Sequence, residues 1–301
     1  MLPGCEIPPD DANLSIEQCV TLACLMDVTT PKPGNVHRGA DFHDMTFFDF
    51  VCSAIAIGPV MASSSQQRLG QTVLKSIKAT RRVTSANTNL GIVLLLAPLA
   101  ACAKIGSGPS GLPQLKQAVR SLLDDLVPAD AADVYEAIRL AKPGGLGASD
   151  KMDVRDEAAP TDLMEAMAYA ADRDQIAREY VTGFSFIVDA IAPRLCDRCG
   201  ELGPISAVLD TYLWVLAEQP DSLIRRKCGD ATATQASQLA AKTLSSGTPG
   251  SETYHEALAD FDFWLRSDGN RRNPGTTADL VTAGVFVGLA QGMLKLRELP
   301  Q

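Results

Sequence analysis

The amino-acid sequence predicts an all-α fold, a single bundle-like domain of about ten helices spanning residues 1–301. Three observations carry that expectation. Capped segments with apolar residues at helical spacing recur from end to end. No segment alternates with period two, and no Asn-Gly or Asp-Gly turn joins two β-rich runs. Aromatic residues make up 5% of the chain while hydrophobic residues make up 46%, so the core is mostly Ala, Leu, Val and Ile, an alphabet suited to close helix packing.

The elements follow in order. Residues 1–13 are Pro-rich and acidic and read as a flexible N-terminal segment. "SIEQCVTLACLMDV" opens on Ser15 and Gln18, a capping box, and "TFFDFVCSAIAIGPVMA" opens on Thr46 and Asp49 in the same way. "GIVLLLAPLAACA" (91–103) is apolar on every side, which predicts a buried helix. At 13 residues it is shorter than the roughly 18 a membrane span needs. "LPQLKQAVRSLLDDL" and "AADVYEAIRLA" are amphipathic. Residues 161–195 read as two helices, the second ending near Pro193. "ISAVLDTYLWVLAEQ", "TATQASQLAAKTLS", "SETYHEALADFDFWLRS" and "TADLVTAGVFVGLAQGMLKLREL" complete the set.

The net charge of −9 argues against nucleic acid and anionic membranes as partners. The eight cysteines are scattered, several inside apolar runs, and read as reduced thiols of a cytoplasmic protein. Cys196 and Cys199 form the one C-x-x-C, with no second pair and no histidine beside it to complete a metal site. No secretory signal is visible, and the oligomeric state is not readable from the sequence.

Polar clusters interrupt this apolar pattern. "TPKPGNVHRGADFHDM" (30–45) holds two of the three histidines. Its prolines stiffen the chain and its glycines let the backbone turn. Lys32, Asn35, His37, Arg38, Asp41, His43 and Asp44 stand between and after them, more functional groups than a connector needs. "TRRVTSANTNLG" (80–91) precedes the most apolar helix, which Asn87 and Thr88 can cap. "KPGGLGASDKMDV" (142–154) is glycine-rich but carries no phosphate-loop fingerprint. "DSLIRRKCGD" (221–230) reads by itself as a solvated helix end. In "RRNPGTTADLV" (271–281), Arg271 and Arg272 precede a Pro-Gly turn, Thr276 or Thr277 caps the last helix, and Asp279 lies in its first turn. A helix start with cations beside it is an anion site. A triphosphate beside Asp41, Asp44 and Asp279 is repelled, by on the order of 4 kcal/mol per like-charge pair at about 4 Å and an effective dielectric near 20. Mg²⁺ reverses that sign using one or two carboxylates plus phosphate oxygens. The expectation is a Mg²⁺–nucleotide site, provided that the clusters meet.

"TPKPGNVHRGADFHDM", "TSANTNLG", "DSLIRRKCG" and "NPGTTADLV", in this order, resemble the signature blocks of the triphosphoribosyl-dephospho-CoA synthase family, over about residues 15–295. The resemblance implies an all-helical enzyme that transfers the triphosphoribosyl unit of ATP to the ribose 2′-hydroxyl of 3′-dephospho-CoA and releases adenine. A centre of oxocarbenium character at C1′ then needs a base for the hydroxyl and an acid for the purine. On this reading Asp41 or Asp44 is the base or a metal ligand, and His37 or His43 serves acid–base chemistry or positioning. Lys32, Arg38, Asn87, Thr88 and Arg271 hold the nucleotide and its phosphates, Thr276 and Thr277 offer donors, and Asp279 shares the Mg²⁺. The partners implied are a nucleotide and a cofactor-like acceptor.

One block departs from the family pattern Asn-Thr-His-Lys-Gly. Here it reads Asn87, Thr88, Asn89, Leu90, Gly91. Without the histidine and the lysine the chain is expected to use 3′-dephospho-CoA poorly. A branch of the family in one-carbon pathways with tetrahydromethanopterin-like cofactors is similar in this block. The alternatives are therefore a relative acting on another nucleotide or acceptor, a hydrolase of an N-glycosidic or phosphate bond, and a non-catalytic nucleotide sensor.

Overall fold

The computed structural model describes residues 14–144, 152–155 and 159–294. Fourteen α-helices run through them: α1 (Ile16–Thr29), α2 (Phe47–Ala62), α3 (Leu69–Val83), α4 (Leu90–Cys102), α5 (Leu112–Asp124), α6 (Pro128–Ala141), α7 (Leu163–Ala170), α8 (Gln175–Thr182), α9 (Ala192–Leu202), α10 (Pro204–Glu218), α11 (Ser222–Cys228), α12 (Asp230–Ser245), α13 (Glu252–Arg266) and α14 (Gly275–Ala290). There is no strand among the described residues. Two isolated bridges, His37 with Ala40 and Phe42 with Met45, tighten the loop before α2.

The all-α expectation holds, but the helices outnumber the ten expected. α3 is additional, for its N-terminus carries no side-chain cap to announce it. Residues 161–195 break more often than hydrophobic spacing suggests. Asp162 caps α7 and Asp174 caps α8, each accepting two backbone N–H bonds. Gly183, at φ +65°, stops α8, and a π-helical turn at Ile187–Ile191 feeds α9. Pro193 therefore lies inside a continuous helical run, two residues past the π turn, rather than at a helix end. The last helix ends at Ala290. Residues 295–299 of the expected helix, the N-terminal segment 1–13 and residues 145–151 of the glycine-rich cluster lie outside the described residues.

Two expected caps are present as capping boxes, Ser15 with Gln18 on α1 and Thr46 with Asp49 on α2. α4 and α14 form the centre, with α4 buried almost throughout and α14 packed on α1, α4, α9 and α10. Small residues allow this. Gly284 lies against Ile191, and a Cβ on Gly288 would sit 3.2 Å from Cys196 Sγ, so side chains at either position would push α9 and its π turn away. The described cysteines are free thiols, and Cys19, Cys24, Cys102 and Cys199 are buried. One continuous helical stretch, residues 47–66, is long and apolar enough by length and composition to cross a membrane. In the fold it packs on α1 and α3 through Ala54, Ile57 and Met61.

Candidate active site

The N-termini of α4, α8, α11 and α14 are gathered around one cleft of about 1110 Å³. Its wall includes Asn87–Ile92 before and at the start of α4, Asp174 and Ile176 of α8, Leu223, Arg226 and Lys227 of α11, and Gly275, Thr276 and Asp279 of α14. Their positive dipole ends therefore face the same space.

Asp221 is the residue that brings two of these ends together. Fully buried, it caps α11 by accepting from Leu223 N (2.8 Å) and Ile224 N (2.9 Å). Its other oxygen accepts from Thr277 N (2.7 Å) and Thr277 Oγ1 (2.8 Å) at the start of α14. The cap of α14 thus comes from a residue 56 positions away rather than from Thr276 or Thr277. α8 is tied in reciprocally. Ser222 N donates to Gln175 Oε1 (2.9 Å), Gln175 N donates to Ser222 Oγ (3.4 Å), and Ser222 Oγ donates to Thr276 Oγ1 (3.1 Å). Arg226 of α11 pairs with Asp174, the cap of α8.

Asp279 carries the most perturbed carboxyl of the cleft. Burial pushes its pKa well above the usual carboxylate range, and the nearby charges of Asp27, Asp221 and Asp174 push it further, against the pull of Arg226. It presses on α4 so closely that a Cβ on Gly91 would lie 2.6 Å from Asp279 Cγ. Glycine at position 91 is what lets a carboxyl from α14 sit on the first turn of α4. Asp27, buried at the end of α1, shares the cleft wall, and Lys32 Nζ neutralises it from 2.9 Å. Among the described residues no three His, Cys, Asp or Glu side chains converge on a common point suited to a metal ion.

The residues expected from sequence divide accordingly. His43, Asp44, Asn87, Thr88, Arg271, Thr276 and Asp279 line the cleft. His43 Nδ1 and Asp44 Oδ1 lie 3.7 Å apart, both exposed at its mouth. Asn87 Oδ1 accepts from Leu90 N (3.3 Å) ahead of α4, whose N-cap position is Asn89 rather than Asn87 or Thr88, and Thr88 Oγ1 faces Ser53 Oγ at 2.5 Å. Arg271 donates to Lys227 O (2.8 Å).

The others are placed elsewhere. Lys32 is buried in its pair with Asp27 and also donates to the Asp27 carbonyl. Asp41 Oδ1 accepts from Phe47 N (2.6 Å) and so helps to cap α2. His37 is half-buried outside the cleft wall, with Nδ1 accepting from Gly39 N (3.1 Å). Burial and the charge of Arg266 lower its pKa, which favours the neutral imidazole. Arg38 is exposed and does not line the cleft, and Thr277 is buried on Asp221. Of the remaining arginines, Arg81 donates to Leu140 O (2.9 Å) and Ala141 O (2.6 Å) at the end of α6, and Arg272 stacks over Trp264 at 4.6 Å.

Sequence reasoning missed Asp27, Asp174, Asp221, Arg226 and Lys227. Asp174 and Asp221 each stand one residue before a helix, a signal that reads as a cap, and no spacing tells that two capped ends will meet. The triple cation of 225–227 reads as a helix end, yet Arg226 and Lys227 point into the cleft. Non-glycine residues at positive φ also gather here. Lys142 (φ 48°), Met152 (φ 53°) and Asn270 (φ 60°) all line the cleft, a concentration of backbone strain typical of functional sites.

A model of the CitG family, described as ATP:dephospho-CoA triphosphoribosyl transferase, matches residues 13–298. A crystal structure from Archaeoglobus fulgidus, assigned as a triphosphoribosyl-dephospho-CoA synthase, superposes with a TM-score of 0.64 at 28% identity, covering 80% of this chain and 98% of that one. No curated protein gives a match. With nearly the whole chain matched, and the resembling blocks meeting at one cleft, the chain belongs to the ATP:dephospho-CoA triphosphoribosyl transferase family.

Proposed function

We propose that the chain transfers the triphosphoribosyl unit of ATP to the 2′-hydroxyl of 3′-dephospho-CoA, with Mg²⁺ and with release of adenine. The observation that carries this reading is the meeting of helix N-termini, the cations Arg226 and Arg271, and the crowded carboxyl of Asp279 in one cleft. Positive helix ends and cations suit phosphates. The crowding of Asp279 by three other carboxylates is what a divalent cation relieves, and an all-oxygen donor set suits Mg²⁺. Asp279, with Asp27 beside it, would hold the ion. When bound, the ion neutralises triphosphate charge.

The chain's own groups do the rest. The starts of α4 and α14, with Thr276 and Arg271, orient the triphosphate. As the acceptor oxygen bonds to C1′ and the bond from C1′ to adenine breaks, Asp44 accepts the hydroxyl proton and His43 beside it delivers a proton to the departing purine. Asp41 contributes through the loop it fastens to α2.

The departure at Asn89 and Leu90 favours a second reading, transfer to another acceptor. Asn89 is turned into the interior, its amide 3.0 Å from Thr80 Oγ1, and Leu90 is buried. The test is incubation with ATP and Mg²⁺, with and without 3′-dephospho-CoA, following adenine by chromatography and product by mass spectrometry. Adenine that needs 3′-dephospho-CoA supports the proposal. Adenine without any acceptor indicates hydrolysis, and no adenine under either condition points to another acceptor or to a sensor.

A further inference from the structure

The cleft changes chemistry along its length, and it is larger than one ligand needs. Its volume of about 1110 Å³ exceeds the range of roughly 300–1,000 Å³ for a small-molecule pocket. The α4–α14 part of the lining carries Asn87, Thr88, Thr276 and Asp279 beside Leu90, Ile92 and Leu94. The α6–α7 part is walled by Val134 and Ile138 of α6 and by Leu163, Ala166 and Met167 of α7. Val134, Leu163 and Met167 belong to the buried core, so this wall is preformed.

Lys227 stands where the two chemistries meet. It reaches across from α11 toward the end of α6, and a Cβ on Gly144 would lie 3.6 Å from Lys227 Cε and 4.0 Å from Nζ. Among the described residues no carboxylate lies within ion-pair distance of it, although its neighbours in the motif, Arg225 and Arg226, are both paired. Burial lowers its pKa, while Asp221 and Asp44 oppose that shift from a distance. A half-buried ammonium without a counter-ion is a place for a bound anion.

We propose that the α6–α7 end of the cleft is the subsite for the flexible pantetheine-type arm of the acceptor, and that Lys227 binds the phosphate groups joining that arm to the nucleoside. The assignment rests on the transfer reading above. It leaves the polar end for the triphosphate and sets the acceptor's ribose between them, near Asp44. It also gives the acceptor a cation from α11 in place of the lysine absent at Leu90.

The probe is 4′-phosphopantetheine, titrated into the full-length protein by calorimetry and tested as a competitor against 3′-dephospho-CoA. Wild type is expected to bind it. Ala166→Trp, which fills the apolar end, and Lys227→Met, which removes the charge, are each expected to weaken binding at least tenfold and to leave the Kd for Mg²⁺–ATP within about twofold. If Ala166→Trp does not fold, Lys227→Met decides. Absence of binding, or binding unchanged in the folded variants, overturns the subsite. Binding sensitive to the variants but without product from ATP and 3′-dephospho-CoA keeps the subsite and removes the transfer reading. Product formation with an unaltered KM for 3′-dephospho-CoA in the variants does the reverse.

Discussion

Gly91→Ala separates the role of Asp279 from the stability of the fold. A Cβ at position 91 would lie 2.6 Å from Asp279 Cγ and 2.8 Å from Ile176 Cδ1. Ordinary carbon contacts are about 3.5–4.0 Å, so the carboxyl must retreat by roughly 1 Å. Two stability effects oppose each other. Overpacking costs about 1–3 kcal/mol, and alanine in place of a helical glycine returns up to about 1 kcal/mol. The net loss is then about 0–3 kcal/mol, a shift of a few degrees in Tm. Catalysis has no such offset. A misplacement of about 1 Å in a catalytic constellation costs on the order of 100-fold. The expected outcome is a kcat lowered about 100-fold in the adenine-release assay, with Tm within a few degrees of wild type. Asp279→Asn should match it in activity. A Gly91→Ala protein of full activity and near-native Tm would refute the reasoning, because the carboxyl could then move without consequence.

Further outcomes are expected. Asp221→Ala leaves four hydrogen bonds at two helix starts without their acceptor, and urea unfolding should show a loss of about 3 kcal/mol or more. Glu179, buried beside the π turn and accepting from Ile187 N, has its pKa raised by burial from 4.5 to about 7. A folded-state pKa above the unfolded one means that this group favours folding while protonated. Its contribution is present below about pH 4.5 and is lost as pH rises through about 7. Glu179→Gln should remove that slope, so its advantage over wild type grows between those pH values to on the order of 3 kcal/mol. Asp44→Asn is expected to lower kcat by 100-fold or more, whereas Asp41→Asn, which acts on the cap of α2, should cost about 1 kcal/mol of stability and keep most activity. Chelation of Mg²⁺ should weaken ATP binding at least tenfold by calorimetry, since Asp279, crowded by Asp27, Asp221 and Asp174, then faces the phosphates without the ion.

The helical class was legible in the sequence because caps and apolar spacing act within a few residues. Ser15 with Gln18 and Thr46 with Asp49 form where the sequence places them, since both partners of each box lie in one turn. The buried α4 was legible for a similar reason, as a segment apolar on every side has no face for water. Part of the cleft could also be read, because Asn87, Thr88, Arg271 and Asp279 lie in dense polar clusters ahead of or at the starts of α4 and α14. Density alone did not sort one residue from the next. Lys32, Asp41 and Thr277 resemble site residues in sequence, yet each is consumed by a structural bond to Asp27, to the α2 start or to Asp221. Only the tertiary structure decided which helix ends meet. Asp221 joins α11 to α14 across 56 positions, Asp279 rests on Gly91, and Lys227 enters the cleft from a segment that reads as solvated. The perturbation of Asp279 and the open charge of Lys227 are sums over groups distant in the chain. They exist once packing has removed the water between them.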